Sequence, residues 1–224
     1  QKWTLFPYTT LFRSLSGRLR AAPDKGWSLL LHGPSGTGKS AYARHLAEAM
    51  GMDLQIEHGS DLLDAFVGGT ERNIAAAFAR AARQKAVLLI DEADDFLTDR
   101  RDAVRSWERT MVSEMLRQME QLRTPFIATT NLADRLDPAT RRRFTVQAGF
   151  TVLKAEQAHA QFQSWFTDAA PEEASLHGLT PGDFALVARR AGLLGETCAG
   201  VIAKWLQEEA DARNGSRNPL GFRL

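Results

Sequence analysis

The chain has 224 residues, 44% hydrophobic and 25% charged, which is typical of a soluble globular protein with one domain or with a larger and a smaller one. The formal net charge of +1 excludes a bulk electrostatic attraction to nucleic acid or membrane. Cys198 is the single cysteine, which excludes an intrachain disulfide and favours a cytoplasmic location. Apolar runs such as 86–90 are too short to cross a bilayer, so we expect no membrane partner.

The first residues do not resemble the start of a domain. The run Thr4–Ser14 has neither strand alternation nor helical spacing, and a widely used sequencing-library adapter translates codon by codon to the same eleven residues, TLFPYTTLFRS. We therefore expect residues 1–14 to be an artefactual, adapter-derived segment, and the native protein to extend upstream of Leu15. Removing Lys2 and Arg13 from the 28 basic residues leaves 26 against 27 acidic ones.

From residue 15 onward, apolar strands alternate with helical patterns, which predicts an α/β domain over residues 15–150 with a mostly parallel sheet. The predicted strands are Trp27–His32, Leu54–His58, Ala86–Ile90, Phe126–Thr130 and Thr145–Phe150. The predicted helices between them are Ser40–Met50, Glu71–Gln84 and Trp107–Leu122. Beyond residue 150 the patterns are helical only, at 154–168, 180–191 and 197–213. We predict a small all-helical domain over residues 151–224.

The segment GPSGTGKS, residues 33–40, lies between a predicted strand and a predicted helix. This context favours a P-loop over an ordinary glycine turn before a helix. Glycines allow backbone N–H groups to turn toward phosphates, Lys39 can reach the β- and γ-phosphates, and Ser40 can ligate Mg²⁺. The predicted ATP-binding residues are Gly33, Pro34, Ser35, Gly36, Thr37, Gly38, Lys39, Ser40 and Asp91.

The segment VLLIDEAD, residues 87–94, ends an apolar strand with two carboxylates. Asp91 is predicted to hold Mg²⁺ together with Ser40, and Glu92 to take the proton from attacking water. A strand ending in two acids is weak evidence alone, because acids often follow strands as solvated loop residues. The P-loop upstream makes the catalytic interpretation the stronger one.

A third strand ends in an amide, in FIATTN at 126–131, and RLDPATRRRF follows at 135–144. With these motifs the chain resembles an AAA+ ATPase of the AAA clade over most of residues 26–200. The resemblance implies that Asn131 orients the lytic water and that Arg142 and Arg143 act as arginine fingers on a neighbouring subunit's ATP. Arg141 is an extra basic residue, so which two of the three act stays open. Without the upstream motifs, a solvated basic turn would be the better interpretation.

The resemblance also implies a fold and an assembly. It predicts a three-layer sandwich with a central parallel sheet followed by a helical lid domain, a homo-oligomer that is a hexamer, and ATP and Mg²⁺ as cofactors. In the family, residues before the P-loop strand grip adenine, and because only residues 15–26 would remain of that region, we expect the adenine contacts to be incomplete. In the lid, Gly182 matches the family's sensor-2 segment. Arg189 and Arg190 lie nearby, and no role is assigned to them.

The segment DAFVGGTER, residues 64–72, places an aromatic, a valine and two glycines in a loop. By resemblance, Phe66, Val67 and Gly68 match pore loop 1, which lines the central channel and grips an unfolded polypeptide. An aromatic face gives an apolar grip that tolerates many sequences, and glycines allow the loop to move. The alternative is that Phe66 packs the loop onto the core.

Three functions fit these motifs. The first is a ring-forming ATPase that remodels or threads a protein substrate. The second is an ATP-dependent loader or switch acting on nucleic acid, disfavoured by the near-neutral charge and the absence of a basic, aromatic stripe. The third is a P-loop kinase or small-molecule transferase, which Asn131 and the RRRF segment disfavour because a kinase needs no arginine aimed at a neighbour. Fold alone cannot choose among them.

Overall fold

The computed structural model describes residues 17, 19, 26–97, 106–132, 136, 138–166, 170–171, 174 and 176–213. The adapter prediction for residues 1–14 falls outside this set. The described residues divide into two compact units. The first, the sheet unit, runs to Phe150 without Ser35–Gly38. The second, the helical unit, contains Ser35–Gly38 and the residues from Thr151 onward.

A parallel β-sheet forms the centre of the sheet unit. Its strands follow the order β2-β3-β4-β1-β5, and every adjacent pair is parallel. The strands are β1 (Ser28–His32), β2 (Leu54–His58), β3 (Val87–Asp91), β4 (Phe126–Thr130) and β5 (Val146–Gly149). This confirms the predicted α/β class and the parallel sheet, with each strand within a residue of its predicted position.

The burial of the strands explains why they could be recognised in the sequence as apolar runs. Strands β1, β3 and β4 occupy the interior of the sheet and are almost wholly buried, whereas the edge strands β2 and β5 are only partly buried. A parallel strand covered on both faces needs a continuous apolar sequence. Because all five strands are parallel, their carboxyl ends meet along one edge of the sheet, which is where such folds place ligands.

Helices connect the strands, as parallel pairing requires. In the sheet unit these are α1 (Lys39–Met50), α2 (Gly59–Leu62), α3 (Gly69–Gln84), α4 (Asp94–Leu97), α5 (Ser106–Glu120) and α6 (Pro138–Arg141). The three long ones were predicted. The short helices α2, α4 and α6 were not, because a single turn carries no helical periodicity.

One part of the core of the sheet unit lies where α3 and α5 cover the sheet. Ile74 and Phe78 from α3 and Met115 from α5 are buried in one cluster with strand residues such as Phe126. The rings of Phe78 and Phe126 lie 5.0 Å apart at their centroids. The three- and four-residue spacing of the apolar side chains on α3 therefore corresponds to its buried face.

The helical unit contains α7 (Ala155–Phe166), α8 (Pro181–Leu194) and α9 (Ala199–Arg213). A capping box between Thr180 and Asp183 starts α8, with proline at the first turn, which satisfies backbone donors that the helix itself leaves unbonded. Its own core includes Phe162, Phe184 and Leu206. None of the described helices is long and apolar enough to cross a membrane. The predicted domain boundaries stay predictions about the whole protein.

Candidate functional site

The P-loop begins where β1 ends, and its first glycine is required by its surroundings. Gly33 has φ +137°, and a Cβ there would lie 2.1 Å from the carbonyl oxygen of Phe150. The Gly33 N–H donates to the carbonyl of Thr130 at 3.2 Å. Gly38 has φ +94° and directly precedes α1. Both positions are open to glycine and strained for other residues, so the GxxxxGK spacing reflects backbone geometry.

Lys39 is the best-connected side chain of the site. Its Nζ donates to the carbonyls of Gly33 at 2.7 Å and Pro34 at 2.9 Å, and to Oδ1 of Asn131 at 2.7 Å. All three ammonium protons are therefore engaged. The residue is only 7% exposed, and this burial lowers the pKa of Lys39, while the carboxylates of Asp91, Asp94 and Glu92 act in the opposite direction.

Ser40 and Asp91, the two residues predicted to hold Mg²⁺, lie in hydrogen-bond contact with each other. The Ser40 hydroxyl donates to Oδ1 of Asp91 at 2.8 Å. The two residues are 51 positions apart in the chain and are brought together by the ends of α1 and β3. A hydroxyl beside a carboxylate is an oxygen donor set of the kind that Mg²⁺ prefers. The residues therefore fit the predicted metal, with Ser40 and Asp91 as the side chains that would hold it.

Glu92 occupies an uncommon backbone conformation. Its φ is +57°, in the left-handed region, which costs about 1–3 kcal/mol for a residue other than glycine and persists only where neighbours hold it. The hydroxyl of Thr129 accepts the Glu92 N–H at 2.9 Å. The Glu92 side chain itself is exposed. Glu92 therefore combines a strained backbone conformation with a carboxylate that is accessible to solvent.

Asn131 follows β4 directly and is bonded through both its backbone and its side chain. Its N–H donates to Oδ1 of Asp94 at 3.1 Å, and its Oδ1 accepts from Lys39. Because the side-chain oxygen of Asn131 already accepts from Lys39, its side-chain NH₂ is the group that would donate to a water or phosphate. The arrangement fits the expected water-orienting role, which stays a prediction.

The three arginines before Phe144 have different surroundings. Arg143 forms an ion pair with Glu120 at 2.7 Å. Arg141 Nε donates to Gln147 Oε1 at 3.4 Å. Arg142 is exposed, and the described part of the chain offers its guanidinium no hydrogen-bond or ion-pair partner. The sequence left open which arginines act, and the structure separates Arg142 from its two neighbours by this difference.

Phe144 explains why these arginines lie on the surface. It is buried and stacks on Phe126, with ring centroids 6.0 Å apart. This contact fixes the start of β5 against the core, so the preceding turn carries the basic side chains outward. The fingers stay a prediction, since their target would lie on another subunit.

The loop between α2 and α3 exposes its apolar residues. Phe66 is 79% exposed and Val67 97%. Gly68 has φ +78°, with nothing within 4 Å of a Cβ placed there. Asp64 anchors the backbone, because its Oδ1 accepts the Phe66 N–H at 2.8 Å. The alternative in which Phe66 packs onto the core is therefore not what the structure shows.

In the helical unit, Gly182 and Arg190 have defined contacts. The Gly182 N–H donates to the carbonyl of Gly36 at 2.8 Å, and a Cβ at Gly182 would lie 2.9 Å from the Gly36 Cα. The Arg190 guanidinium lies 4.2 Å from the centre of the Trp205 ring. Arg190 therefore has a structural partner in its own unit.

Sequence reasoning missed three polar residues around the predicted carboxylates. They are Asp94, Thr129 and Thr130. Asp94 accepts hydrogen bonds from the Thr130 hydroxyl and the Asn131 N–H, and the Thr129 hydroxyl donates to Asp91 and accepts the Glu92 N–H. Two polar residues at the end of a buried strand, in FIATTN, were the available sign. Their partners lie more than 30 positions away, so sequence alone could not identify them.

Comparisons with known proteins agree with this geometry. A model of the ATPase family associated with various cellular activities (AAA) matches residues 29–152. An alignment of 192 residues, which covers 77% of this chain, is 33% identical to a Bifidobacterium dentium protein described as an AAA ATPase forming ring-shaped complexes. An alignment of 130 residues, which covers 56% of this chain, is 35% identical to Protein SAV of Sulfolobus acidocaldarius. The chain covers only 34% and 16% of these two relatives.

Proposed function

Because residues 29–152 match its model, the chain belongs to the AAA family of ATPases, and we propose that it hydrolyses ATP as one subunit of a homo-hexameric ring that remodels or threads a protein substrate. The domain of this family binds ATP, with Mg²⁺ as the usual cofactor. A ring is supported by the Bifidobacterium dentium relative, which is described as forming ring-shaped complexes. The single cysteine supports a cytoplasmic location.

The site residues support hydrolysis with divided roles. The Lys39 ammonium donates to three oxygen atoms, two of which belong to the P-loop backbone. Its positive charge is therefore held at the P-loop, where phosphate oxygens could take the place of these acceptors. The exposed Glu92 carboxylate can accept a proton from attacking water. Asn131 can orient that water through its NH₂ group. Mg²⁺, when bound, supplies charge that offsets the negative β- and γ-phosphates.

Arg142 supports an active site shared between subunits. An exposed guanidinium with no partner in the described part of its own chain is available to a neighbour's phosphates, as arginine fingers are. Arg143 can reach a neighbour's phosphates only if its ion pair with Glu120 breaks. Because both side chains of this pair are partly exposed, the pair contributes only about 0–1 kcal/mol. We therefore propose Arg142 as the principal finger and Arg143 as the second.

The observation that carries the substrate class is the exposure of Phe66 and Val67 on a loop with a left-handed glycine. Folding gives no reason to expose adjacent large apolar residues. Two flexible apolar side chains can grip an extended polypeptide of any sequence, whereas nucleic acid would be expected to require basic side chains as well. Action on nucleic acid is the alternative outcome of the test.

Site-directed photocrosslinking tests this function, since the chain has a single cysteine to replace. We expect Val67→Cys in a Cys198→Ser background, labelled with benzophenone, to capture a permanently unfolded polypeptide in the presence of ATP. Leu193→Cys, at a position on α8 that is 78% exposed, is the matched control and should capture little. Equal capture at both positions, or capture of single-stranded DNA in place of polypeptide, would refute the protein-threading proposal.

A further inference from the structure

Three residues outside the predicted site join the carboxyl ends of β3 and β4. They are Asp94, Thr129 and Thr130, and we call them the strand-end clip. We propose that the strand-end clip is a positioning device that holds Asn131 and Glu92 at a fixed position relative to each other for hydrolysis. This inference rests on the proposed ATPase function and names residues that set its geometry.

The Asp94 half of the clip fixes Asn131. Oδ1 of Asp94 accepts from the Thr130 hydroxyl and from the Asn131 N–H, the latter at 3.1 Å. The Thr130 hydroxyl in turn accepts the Leu132 N–H at 3.0 Å. The backbone on both sides of Asn131 is therefore tied to one carboxylate, while the Asn131 side chain remains bonded to Lys39.

The Thr129 half of the clip fixes Glu92. The Thr129 hydroxyl donates to Oδ1 of Asp91 at 2.6 Å and accepts the Glu92 N–H at 2.9 Å. The Thr129 carbonyl accepts the Ala93 N–H at 2.9 Å. These bonds hold the turn in which Glu92 adopts φ +57°. Because Thr129 and Thr130 are consecutive, the two halves form one rigid connection from Glu92 to Asn131.

Burial makes this connection hard to replace. Thr129 is 1% exposed and Thr130 is fully buried, so water is excluded from the hydroxyls and a lost partner leaves a polar group unbonded. Catalysis is sensitive to such shifts, since a misplacement of about 1 Å can cost about 100-fold in rate. The Asp94 and Thr129 side chains are expected to act through Asn131 and Glu92 and not by touching nucleotide.

Steady-state kinetics with paired variants of Asp94 test the first half. We expect Asp94→Ala to lower kcat at least tenfold with KM changed less than threefold. Asp94→Asn keeps an oxygen that can accept both bonds but removes the charge, and we expect its kcat within fivefold of wild type. Two outcomes overturn the inference: a kcat for Asp94→Ala within twofold of wild type, or equal losses in the two variants.

The second half is tested with variants of Thr129. Thr129→Val removes the hydroxyl at nearly constant volume, and Thr129→Ser keeps it. We expect Thr129→Val to lower kcat at least tenfold and Thr129→Ser to recover most of it, with nucleotide affinity retained in both. A loss in Thr129→Val that only follows a loss of folded protein, measured by thermal melting, would show a purely structural role.

Amide hydrogen exchange separates this inference from the proposed function. We expect Asp94→Ala to accelerate exchange at the Asn131 amide at least tenfold, and Asp94→Asn to leave it protected. If the wild-type protein hydrolyses ATP no faster than Lys39→Ala, the proposed function fails. The hydrogen-exchange rate of the Asn131 amide in the Asp94 variants still tests the strand-end clip in that case. Unchanged Asn131 protection in Asp94→Ala, with or without ATPase activity, would overturn the clip.

Discussion

Replacing Phe66 by alanine separates a substrate-gripping side chain from a packing one. Phe66 is 79% exposed, so about a fifth of its surface is removed from water. Full burial of such a side chain contributes about 1.5–3 kcal/mol, which scales to about 0.3–0.6 kcal/mol for Phe66. For a protein of this size, that loss lowers the melting temperature by about 1–2 °C.

The matched comparison is Phe126→Ala, because Phe126 is fully buried in the core cluster. That change is expected to cost about 3–5 kcal/mol, and thus to lower the melting temperature by about 6–20 °C. The assay pairs thermal melting with ATPase activity measured with and without an unfolded polypeptide. Phe66→Ala should lower the melting temperature by no more than about 2 °C, keep the basal ATPase rate and lose the stimulated rate. A fall of more than about 6 °C, with proportionate loss of both rates, would refute the reasoning.

The remaining predictions concern nucleotide, neighbours and stability. Lys39→Ala should weaken ATP binding in a nucleotide titration, whereas Glu92→Gln should bind ATP and accumulate it unhydrolysed in a single-turnover assay; wild-type turnover by Glu92→Gln would identify a different base. An Arg142→Ala/Arg143→Ala protein should be inactive alone and regain ATPase activity when mixed with Lys39→Ala, and normal activity alone at every concentration would disprove fingers supplied in trans. Arg213→Ala should destabilise the helical unit by about 1–3 kcal/mol in denaturant unfolding, because its guanidinium pairs with a carboxylate at the start of α8; an unchanged midpoint would contradict this.

The sequence predicted the site residues but not all of the contacts between them. Ser40 and Asp91, both predicted to hold Mg²⁺, are in direct contact, because α1 begins and β3 ends at the same edge of the parallel sheet. The contact between Lys39 and Asn131 was not predicted. The site roles of these residues stay predictions, since their tests require nucleotide and a neighbouring subunit.

The sequence by itself determined the five strands, the three long helices of the sheet unit and the P-loop. These features depend on local rules: a strand buried on both faces needs an unbroken apolar run, and a phosphate loop needs glycines at set positions. Only the tertiary structure decided the order β2-β3-β4-β1-β5, the pairing of Arg143 with Glu120 and the bonds of Asp94 to the end of β4. The physical reason is that these contacts join residues more than 20 positions apart, and no local sequence pattern encodes which distant segments of the chain pack together.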